Sequence, residues 1–348
     1  MTQPTINGVH LVGSLPLENE NEAFAVVGPA LGTHLKRLPD GETGDRNEWV
    51  QFQLNVLGQR EEFEVIENPM QGQGDLPPTL RLRDGMAADS VDFGDLGYER
   101  TALESFAAFE KAQAAGSIPD GVRFQLSMPT PLANAIAWLA FNPEFPTLNE
   151  RYEASMLAEL GRILDAIPHD RLAVQWDVCF EVLMYEGWMP MLHGITRESI
   201  AEHLVRISAA VPDDVELGFH FCFGDFKHEH VQQPEDLGRV VELANDFLLK
   251  VERPVQFIHI PVPIERDDDA YFAPLAHLEV PHGAEVYLGL LHFRDGADGA
   301  RRRIEAAGRV LPEFGVATEC GMGRRTDERG GGTETFSELL ELHQQIAS

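Results

Sequence analysis

Short apolar segments and amphipathic segments alternate along the whole chain. Side chains in a strand alternate between two faces, whereas an amphipathic helix repeats its apolar positions every three to four residues. On this basis we predict eight strands, at residues 8–14, 35–38, 122–128, 171–178, 215–222, 255–260, 285–292 and 314–319. Helical patterns lie between them, for example at residues 46–57, 99–115, 149–167, 197–211, 235–251, 297–311 and 334–346.

This alternation indicates the fold class. Mostly apolar strands separated by helices are typical of an α/β protein with a parallel sheet, and eight such units predict closure into a (β/α)8 TIM barrel. Residues 61–97 are rich in Gly, Pro and Asp and break the alternation. We predict that they form an insertion after the second strand, in part a hairpin folded over one end of the barrel. Residues 1–348 are predicted to form a single domain.

Length and composition agree with this class. A chain of 348 residues with 43% hydrophobic content is ordinary for a globular α/β barrel. The sequence has no apolar run long enough for a transmembrane helix, and its start lacks the pattern of a signal peptide, so we expect a cytoplasmic protein. Three cysteines in a reducing compartment are free thiols, metal ligands or core residues rather than disulfides.

The formal net charge of -30 narrows the possible partners. A polyanion repels nucleic acids and anionic membrane surfaces, so neither is expected to bind this chain. The charge says little about a pocket, where the local groups decide.

Polar and sulfur-containing side chains recur at the carboxyl ends of the predicted strands. Active sites of α/β barrels lie at these ends, and charged groups there are costly unless they are paired or functional. The candidate residues, in chain order, are Ser14, Glu42, Thr130, Asp177, His220, Cys222, His259, His292 and Cys320.

Three of these residues have the chemistry of metal ligands. His220 and Cys222 are two positions apart in a predicted strand and therefore share a face, with Phe219, Phe221 and Phe223 on the other. Imidazole and thiolate are the donors that zinc prefers. If the fold brings Cys320 to them, a His/Cys/Cys zinc site results; a core histidine beside a buried cysteine is the simpler alternative.

Five motifs at the strand ends resemble, in order, those of the catalytic C-terminal barrel of cobalamin-independent methionine synthases. This family belongs to the barrel superfamily that also contains uroporphyrinogen decarboxylase. The motifs are Val12-Gly13-Ser14, Asp40-Gly41-Glu42 followed by Arg46, Gln175-Trp176-Asp177, His220-Phe221-Cys222-Phe223-Gly224-Asp225 and Glu319-Cys320-Gly321-Met322. The chain is similar to the short, stand-alone members, which lack an additional N-terminal barrel.

The resemblance implies zinc bound by His220, Cys222 and Cys320, activating a small-molecule thiol such as homocysteine for transfer of a methyl or other alkyl group. It also implies that Ser14, Glu42 and Asp177 bind the amino-acid end of that thiol. We add Thr130, after the third predicted strand, to the candidate substrate-binding residues, and take Asp177 and His292 as the candidate catalytic residues.

Two positions depart from the family pattern. The family's fourth zinc ligand is a Glu on the sixth strand, where this chain has His259; the imidazole either replaces that ligand or only lines the pocket. The family's Asp-x-His on the seventh strand is here His292-Phe293-Arg294. His292 is therefore a candidate acid, while the alkyl donor is either methyltetrahydrofolate or another donor, as in epoxyalkane:coenzyme M transferase.

Other interpretations remain open at this stage. A metal-free decarboxylase of the uroporphyrinogen type would use the same barrel, and a zinc-binding or thiol-sensing protein would have a closed site without a pocket. Cys179 is expected to be a core residue. His228 and His230 form a second cluster of ligand types in the loop after the fifth strand, either solvated or part of a lid.

Overall fold

The computed structural model describes residues 3–70, 76–226, 229–230, 233–324 and 333–348. Within these ranges the strands, in chain order, are β1 (Thr5–Val9), β2 (Arg37–Pro39), β3 (Phe63–Ile66), β4 (Thr79–Leu82), β5 (Arg123–Pro129), β6 (Leu172–Val178), β7 (Glu216–Phe221), β8 (Asp225–Phe226), β9 (Glu229–His230), β10 (Phe257–Pro261), β11 (Glu285–Leu291) and β12 (Glu313–Thr318).

The helices surround the main sheet. They are α1 (Glu20–Leu31), α2 (Phe52–Gly58), α3 (Tyr98–Ala114), α4 (Pro131–Leu139), α5 (Phe145–Ala166), α6 (Phe180–Tyr185), α7 (Arg197–Ala209), α8 (Gly238–Phe247), α9 (Asp269–Phe272), α10 (Gly296–Gly308) and α11 (Thr333–Ala347). None of the helices in the described part of the chain has both the length and the apolar character needed to cross a membrane.

Eight of the described strands form one curled, parallel sheet. Their order is β1-β12-β11-β10-β7-β6-β5-β2. An isolated parallel bridge between Val9 and Leu35 links the chain at the end of β1 to the residues just before β2, so the two edges of the sheet approach each other. This α/β architecture is consistent with a TIM-like barrel.

Seven of the eight predicted strands agree with the structure to within two residues, and the first does not. β1 ends at Val9, five residues before Ser14. The pairing register with β12 shifts between Ile6 and Val9, around Gly8, whose φ is 122°. The apolar pattern continues after the strand because the following loop is itself buried, with Leu11 fully inaccessible to solvent.

The predicted helix at residues 46–57 is divided in two. A short 3-10 helix spans Gly44–Glu48, and α2 begins only at Phe52. Trp49 lies between them with a φ of 54°, a left-handed conformation that interrupts any helix of L-residues.

The segment at residues 61–97 contains the predicted hairpin. β3 and β4 pair with each other in antiparallel fashion, outside the eight-stranded sheet. The hairpin packs beside α4, where the Thr79 hydroxyl donates to the Trp138 carbonyl (2.9 Å) and Leu82 N donates to Asn142 Oδ1 (2.7 Å). That this segment is an insertion into the family's barrel stays a prediction.

The two faces of each sheet strand have different environments. On β7, Phe219 and Phe221 face outwards and pack against Phe247 of α8, with ring centroids 4.9 and 6.4 Å apart. His220 lies on the opposite, inner face. The alternation predicted for this strand is therefore observed, and it directs imidazole and sulfur towards the interior.

At the amino ends of the strands, a buried arginine joins distant parts of the sheet. Arg37 on β2 is only 4% exposed and pairs with Glu216 on β7 (2.5 Å) and Glu285 on β11 (3.0 Å). Its guanidinium also lies 4.2 Å from the centroid of the Phe257 ring. These contacts fasten β2 across the interior, at the opposite end from the candidate chemistry.

Candidate metal centre

Three predicted ligands converge where β7 and β12 end. His220 is the fifth residue of β7, Cys222 follows that strand directly, and Cys320 lies two residues after β12. Their donor atoms all lie within 4.8 Å of one another. The Cys222 and Cys320 sulfurs are 4.0 Å apart, and the Cys320 sulfur is 3.8 Å from His220 Nε2. His220 and Cys222 are buried, whereas Cys320 is partly exposed.

These distances fit a tetrahedral metal with nitrogen and sulfur ligands. Zinc–sulfur bonds of about 2.3 Å and zinc–nitrogen bonds of about 2.0–2.1 Å at tetrahedral angles place two sulfurs about 3.8 Å apart and a sulfur and a nitrogen about 3.6 Å apart. The Cys222–Cys320 and Cys320–His220 separations differ from these by only a few tenths of an ångström, and the third pair of donor atoms lies within 4.8 Å. His220, Cys222 and Cys320 therefore could hold zinc with small side-chain adjustments.

The sulfur atoms lie against an apolar wall. Cys222 packs with Cys179 and Leu183, and Trp49 and Met189 lie against the same cluster. The Trp49 ring stacks on Phe180, with centroids 6.1 Å apart and planes 11° apart. Cys179 is 4% exposed and belongs to this cluster, in agreement with a packing role.

His259 lies directly behind His220. The two residues are register neighbours on β10 and β7, and their Nδ1 atoms are 2.7 Å apart. His259 Nε2 is 3.0 Å from the Thr318 carbonyl oxygen. Burial lowers the pKa of His259 to about 3 against the opposing effect of that hydrogen bond, so the ring is neutral at physiological pH. Both ring nitrogens thus have partners within the protein.

Asp177 lies on the other side of His220. It is the register neighbour of His220 on β6 and is 5% exposed. Its carboxylate accepts a hydrogen bond from Gln175 Nε2 (2.9 Å), which fixes its orientation. The predicted catalytic or substrate-binding carboxylate and the predicted metal ligand are therefore adjacent on neighbouring strands.

Ser14 contacts the loop that carries Cys320. Gly323 N donates to the Ser14 carbonyl (2.9 Å), and a Cβ added to Gly321 would lie 2.2 Å from Ser14 Oγ. A side chain at position 321 would therefore force Ser14 to move. Although β1 ends early, its following loop brings Ser14 to the end of the sheet that carries the candidate metal ligands.

Glu42 is held in an unusual backbone conformation next to Ser14. It is 7% exposed with a φ of 46°, and its carboxylate lies so close to Gly13 that an added Cβ would be 1.9 Å from Oε1. Asp40 supports this turn, because Oδ1 accepts from Glu42 N (2.9 Å) and Oδ2 pairs with Arg46 (2.5 Å). Strained, buried residues of this kind cluster at functional sites.

His292 directly follows β11, and its two ring nitrogens lie near polar groups. Nε2 lies 2.8 Å from the Val262 carbonyl oxygen, and Nδ1 lies 3.4 Å from Glu319 Oε2. Glu319 directly precedes Cys320, so His292 is linked to the loop that carries this candidate ligand. The side chain is 3% exposed.

Thr130, a predicted substrate-binding residue, makes hydrogen bonds to groups in the protein interior. It is fully buried and caps α4, where its hydroxyl accepts from Ala133 N (3.1 Å). The same hydroxyl donates to Glu181 Oε1 (2.5 Å). Burial raises the pKa of Glu181, which favours the protonated carboxyl.

A polar network under the site was not anticipated. His10 Nε2 bonds to Gln175 Oε1 (2.8 Å), and Gln175 Nε2 donates to Asp177 and to the Val12 carbonyl (2.7 Å). Gln125 donates to the Leu11 and Val12 carbonyls (2.9 and 3.1 Å), so the network also fixes the loop before Ser14. The sequence signal that could have predicted this network is the presence of polar residues at alternate positions of otherwise apolar strands, such as Gln175 and Asp177 on β6.

The second histidine cluster cannot be placed. His228 lies outside the described residues, and the side chain of His230 is likewise outside the described part. The lid interpretation of this loop stays a prediction.

Two solved structures share this architecture over essentially the whole chain. One is a provisionally named vitamin-B12-independent methionine synthase from Listeria monocytogenes, with 15% sequence identity, a TM-score of 0.55 and 99% coverage of each chain. The other is a B12-independent methionine synthase from Shewanella sp. W3-18-1 in complex with selenomethionine, with 11% identity, a TM-score of 0.56 and 98% coverage of each chain.

The chain has the fold of these two proteins. The resemblance inferred from the five motifs is thereby supported by structural neighbours at the level of the fold. No family model and no curated protein matches the sequence.

Proposed function

We propose that this protein is a zinc-dependent transferase that moves a methyl or other alkyl group onto the thiol of a small molecule. The observation that carries the proposal is the convergence of His220, Cys222 and Cys320 at the carboxyl end of the sheet. We further propose a single catalytic (β/α)8 domain with residues 61–97 as an insertion, and a cytoplasmic location.

The donor set suits this chemistry. Zinc held by His220, Cys222 and Cys320 would lower the pKa of the substrate thiol and so supply a thiolate near neutral pH. The thiolate sulfur attacks the alkyl carbon of the donor, the bond from that carbon to its leaving group breaks, and the leaving group takes up a proton. A thioether is the product.

The chain's own residues position the substrate. Two buried carboxylates, Glu42 and Asp177, suit a substrate ammonium group, because an opposite charge compensates the cost of burying each. Ser14 supplies a hydroxyl from the loop that also contacts the Cys320 segment. Homocysteine has the thiol and the ammonium group that this arrangement would bind, and the selenomethionine in complex with the Shewanella protein has the same amino-acid end.

His292 is the candidate proton donor to the leaving group. Its link to Glu319 connects it to the loop bearing Cys320. The departure from the family pattern around His292 leaves two donors to be tested, methyltetrahydrofolate and an epoxide or related alkylating substrate.

The first experiment measures metal content by elemental analysis, in protein prepared without chelators, for wild type, Cys320→Ser and Cys179→Ser. We expect about one zinc per chain in wild type and in Cys179→Ser, and its loss in Cys320→Ser. Cys179 is the matched control because it is a buried cysteine of the same cluster but outside the three-residue donor set.

The same proteins are then titrated calorimetrically with homocysteine in two buffers of different ionisation enthalpy. Wild type should bind with release of about one proton, because the thiol ionises when it reaches the site. If the protein contains zinc but does not bind homocysteine, the proposed alkyl transfer to a thiol would stand and the substrate would be a different thiol. Absence of zinc from wild type would contradict the proposal and favour a metal-free decarboxylase of the uroporphyrinogen type.

A further inference from the structure

The family has a Glu as fourth zinc ligand at the position of His259. The contacts of His259 indicate a different role for this residue. His259 is fully buried, and its two nitrogens face two groups, the Thr318 carbonyl oxygen at 3.0 Å and His220 Nδ1 at 2.7 Å. The donor atoms that lie within 4.8 Å of one another belong to His220, Cys222 and Cys320, and His259 is not among them.

The positions of the hydrogen atoms on His259 and His220 follow from the groups that their ring nitrogens face. A carbonyl oxygen only accepts, so His259 Nε2 carries the hydrogen and donates it. In a neutral ring the other nitrogen, Nδ1, then has a lone pair and accepts. The atom facing it, His220 Nδ1, must therefore be the donor, which leaves the lone pair of His220 on Nε2. That nitrogen is the one 3.8 Å from the Cys320 sulfur.

We propose that His259 is a positioning residue that fixes the tautomer and ring orientation of His220, and is not itself a zinc ligand. The proposal rests on the zinc site of the proposed function. It assigns three protein ligands to the metal, so the substrate thiol can occupy the fourth position without displacing a side chain.

The same hydrogen bonds also connect His220, on β7, with Cys320, after β12. Thr318, which accepts from His259, is the last residue of β12, and its hydroxyl donates to the Cys320 carbonyl (2.7 Å). The segment that presents Cys320 therefore also orients His220 through His259. Outer partners of this kind typically change metal affinity 10- to 100-fold when removed.

The test uses His259→Asn and His259→Leu, two side chains of nearly equal size. The Asn oxygen can replace Nδ1 as the acceptor from His220, whereas Leu cannot. Competition with a chelator should show zinc affinity within a few-fold of wild type for His259→Asn and a 10- to 100-fold loss for His259→Leu. His343→Leu, which removes a buried ring that is hydrogen-bonded within α11, should leave zinc affinity unchanged.

Zinc X-ray absorption separates a ligand from a positioning residue. The scattering from coordinated imidazole should correspond to one ring in wild type and in both His259 variants. Two rings in wild type, decreasing to one in both variants with equal losses of affinity, would overturn the proposal.

Nitrogen-15 spectra of histidine-labelled, metal-free protein test the tautomer without the metal. His220, assigned by its disappearance in His220→Gln, should carry its hydrogen on Nδ1, and a hydrogen on Nε2 instead would refute the inference. If wild type binds no zinc at all, the proposed function fails, whereas this spectrum still decides the hydrogen-bond arrangement.

Discussion

At the scale of single residues, the groups around His292 determine which of its ring nitrogens carries the hydrogen. Nε2 faces a carbonyl oxygen and must donate to it, so the neutral ring would present the lone pair of Nδ1 to Glu319. Under the proposed function, a proton on Nδ1, between His292 and Glu319, would be the one that passes to the leaving group.

His292→Asn should lower kcat by 10²- to 10⁴-fold with a donor whose leaving group needs a proton. With methyl iodide as the donor, kcat should fall by no more than a few-fold, because iodide leaves without protonation. Steady-state kinetics with both donors and a zinc determination check this. Equal losses with both donors would assign His292 to positioning or metal binding instead of proton transfer.

At the scale of elements, the helices around the sheet are fixed by buried polar contacts as well as by apolar packing. Thr130 joins the start of α4 to Glu181 of α6, and Glu153 joins α5 to α7. Burial opposes ionisation of Glu153, but hydrogen bonds from Arg206 (2.6 Å) and His203 (2.9 Å) outweigh it and lower its pKa to about 2.

Thr130→Val keeps the shape of the side chain and removes the hydroxyl. We expect a destabilisation of roughly 2–3 kcal/mol, from a lost helix cap and from the loss of one hydrogen bond to a buried carboxyl. Urea unfolding measures this loss. An unchanged KM for the thiol would assign Thr130 to structure, whereas a large rise in KM with little loss of stability would support its predicted role in substrate binding.

The low pKa of Glu153 makes stability depend on pH. Because the folded-state pKa lies below the ordinary value of 4.5, the contribution is present above about pH 4.5 and is lost as pH falls towards 2. A lowering from 4.5 to about 2 corresponds to roughly 3 kcal/mol. The stability difference between wild type and Glu153→Gln should decrease as the pH falls from about 4.5 towards 2. A difference independent of pH would contradict this assignment.

At the scale of the whole molecule, the net charge of -30 opposes compaction. Many like charges on one surface repel each other, and salt screens that repulsion over about 10 Å at 0.1 M. The buried pairs of Arg37 are screened much less, so added salt should act mainly on the surface.

Raising NaCl from 20 mM to 0.5 M at pH 7.5 should therefore raise the melting temperature by several degrees. At pH 5, close to the sequence pI of about 4.7, the net charge is small and the same salt should have little effect. Scanning calorimetry at both pH values checks the difference. Equal shifts at the two pH values would point to a general salt effect instead of charge screening.

The sequence was informative wherever the signal was local. Alternation in β7 placed His220 and the flanking phenylalanines on their observed faces, and seven strands were located to within two residues. The strand-end motifs identified residues that the structure brings together, including Ser14, whose strand was misplaced.

What escaped prediction depends on contacts between distant positions. Arg37 meets its partners 179 and 248 residues away, so nothing near it in the sequence indicates a buried ion pair. The left-handed conformation of Trp49 interrupted a helix that the local pattern favours. The partners of His259 come from β7 and β12, so its environment becomes visible only when the strands are side by side.

The pairing of β12 with both β1 and β11 has a consequence for how the protein is made. The ribosome adds Cys320 98 residues after Cys222. Until β12 has been made, β1 lacks this neighbour and only two of the three candidate donors are present. Under the proposed function, a nascent chain that has not reached β12 would therefore have neither the β1–β12 pairing nor a complete donor set, and zinc uptake would follow the synthesis of β12.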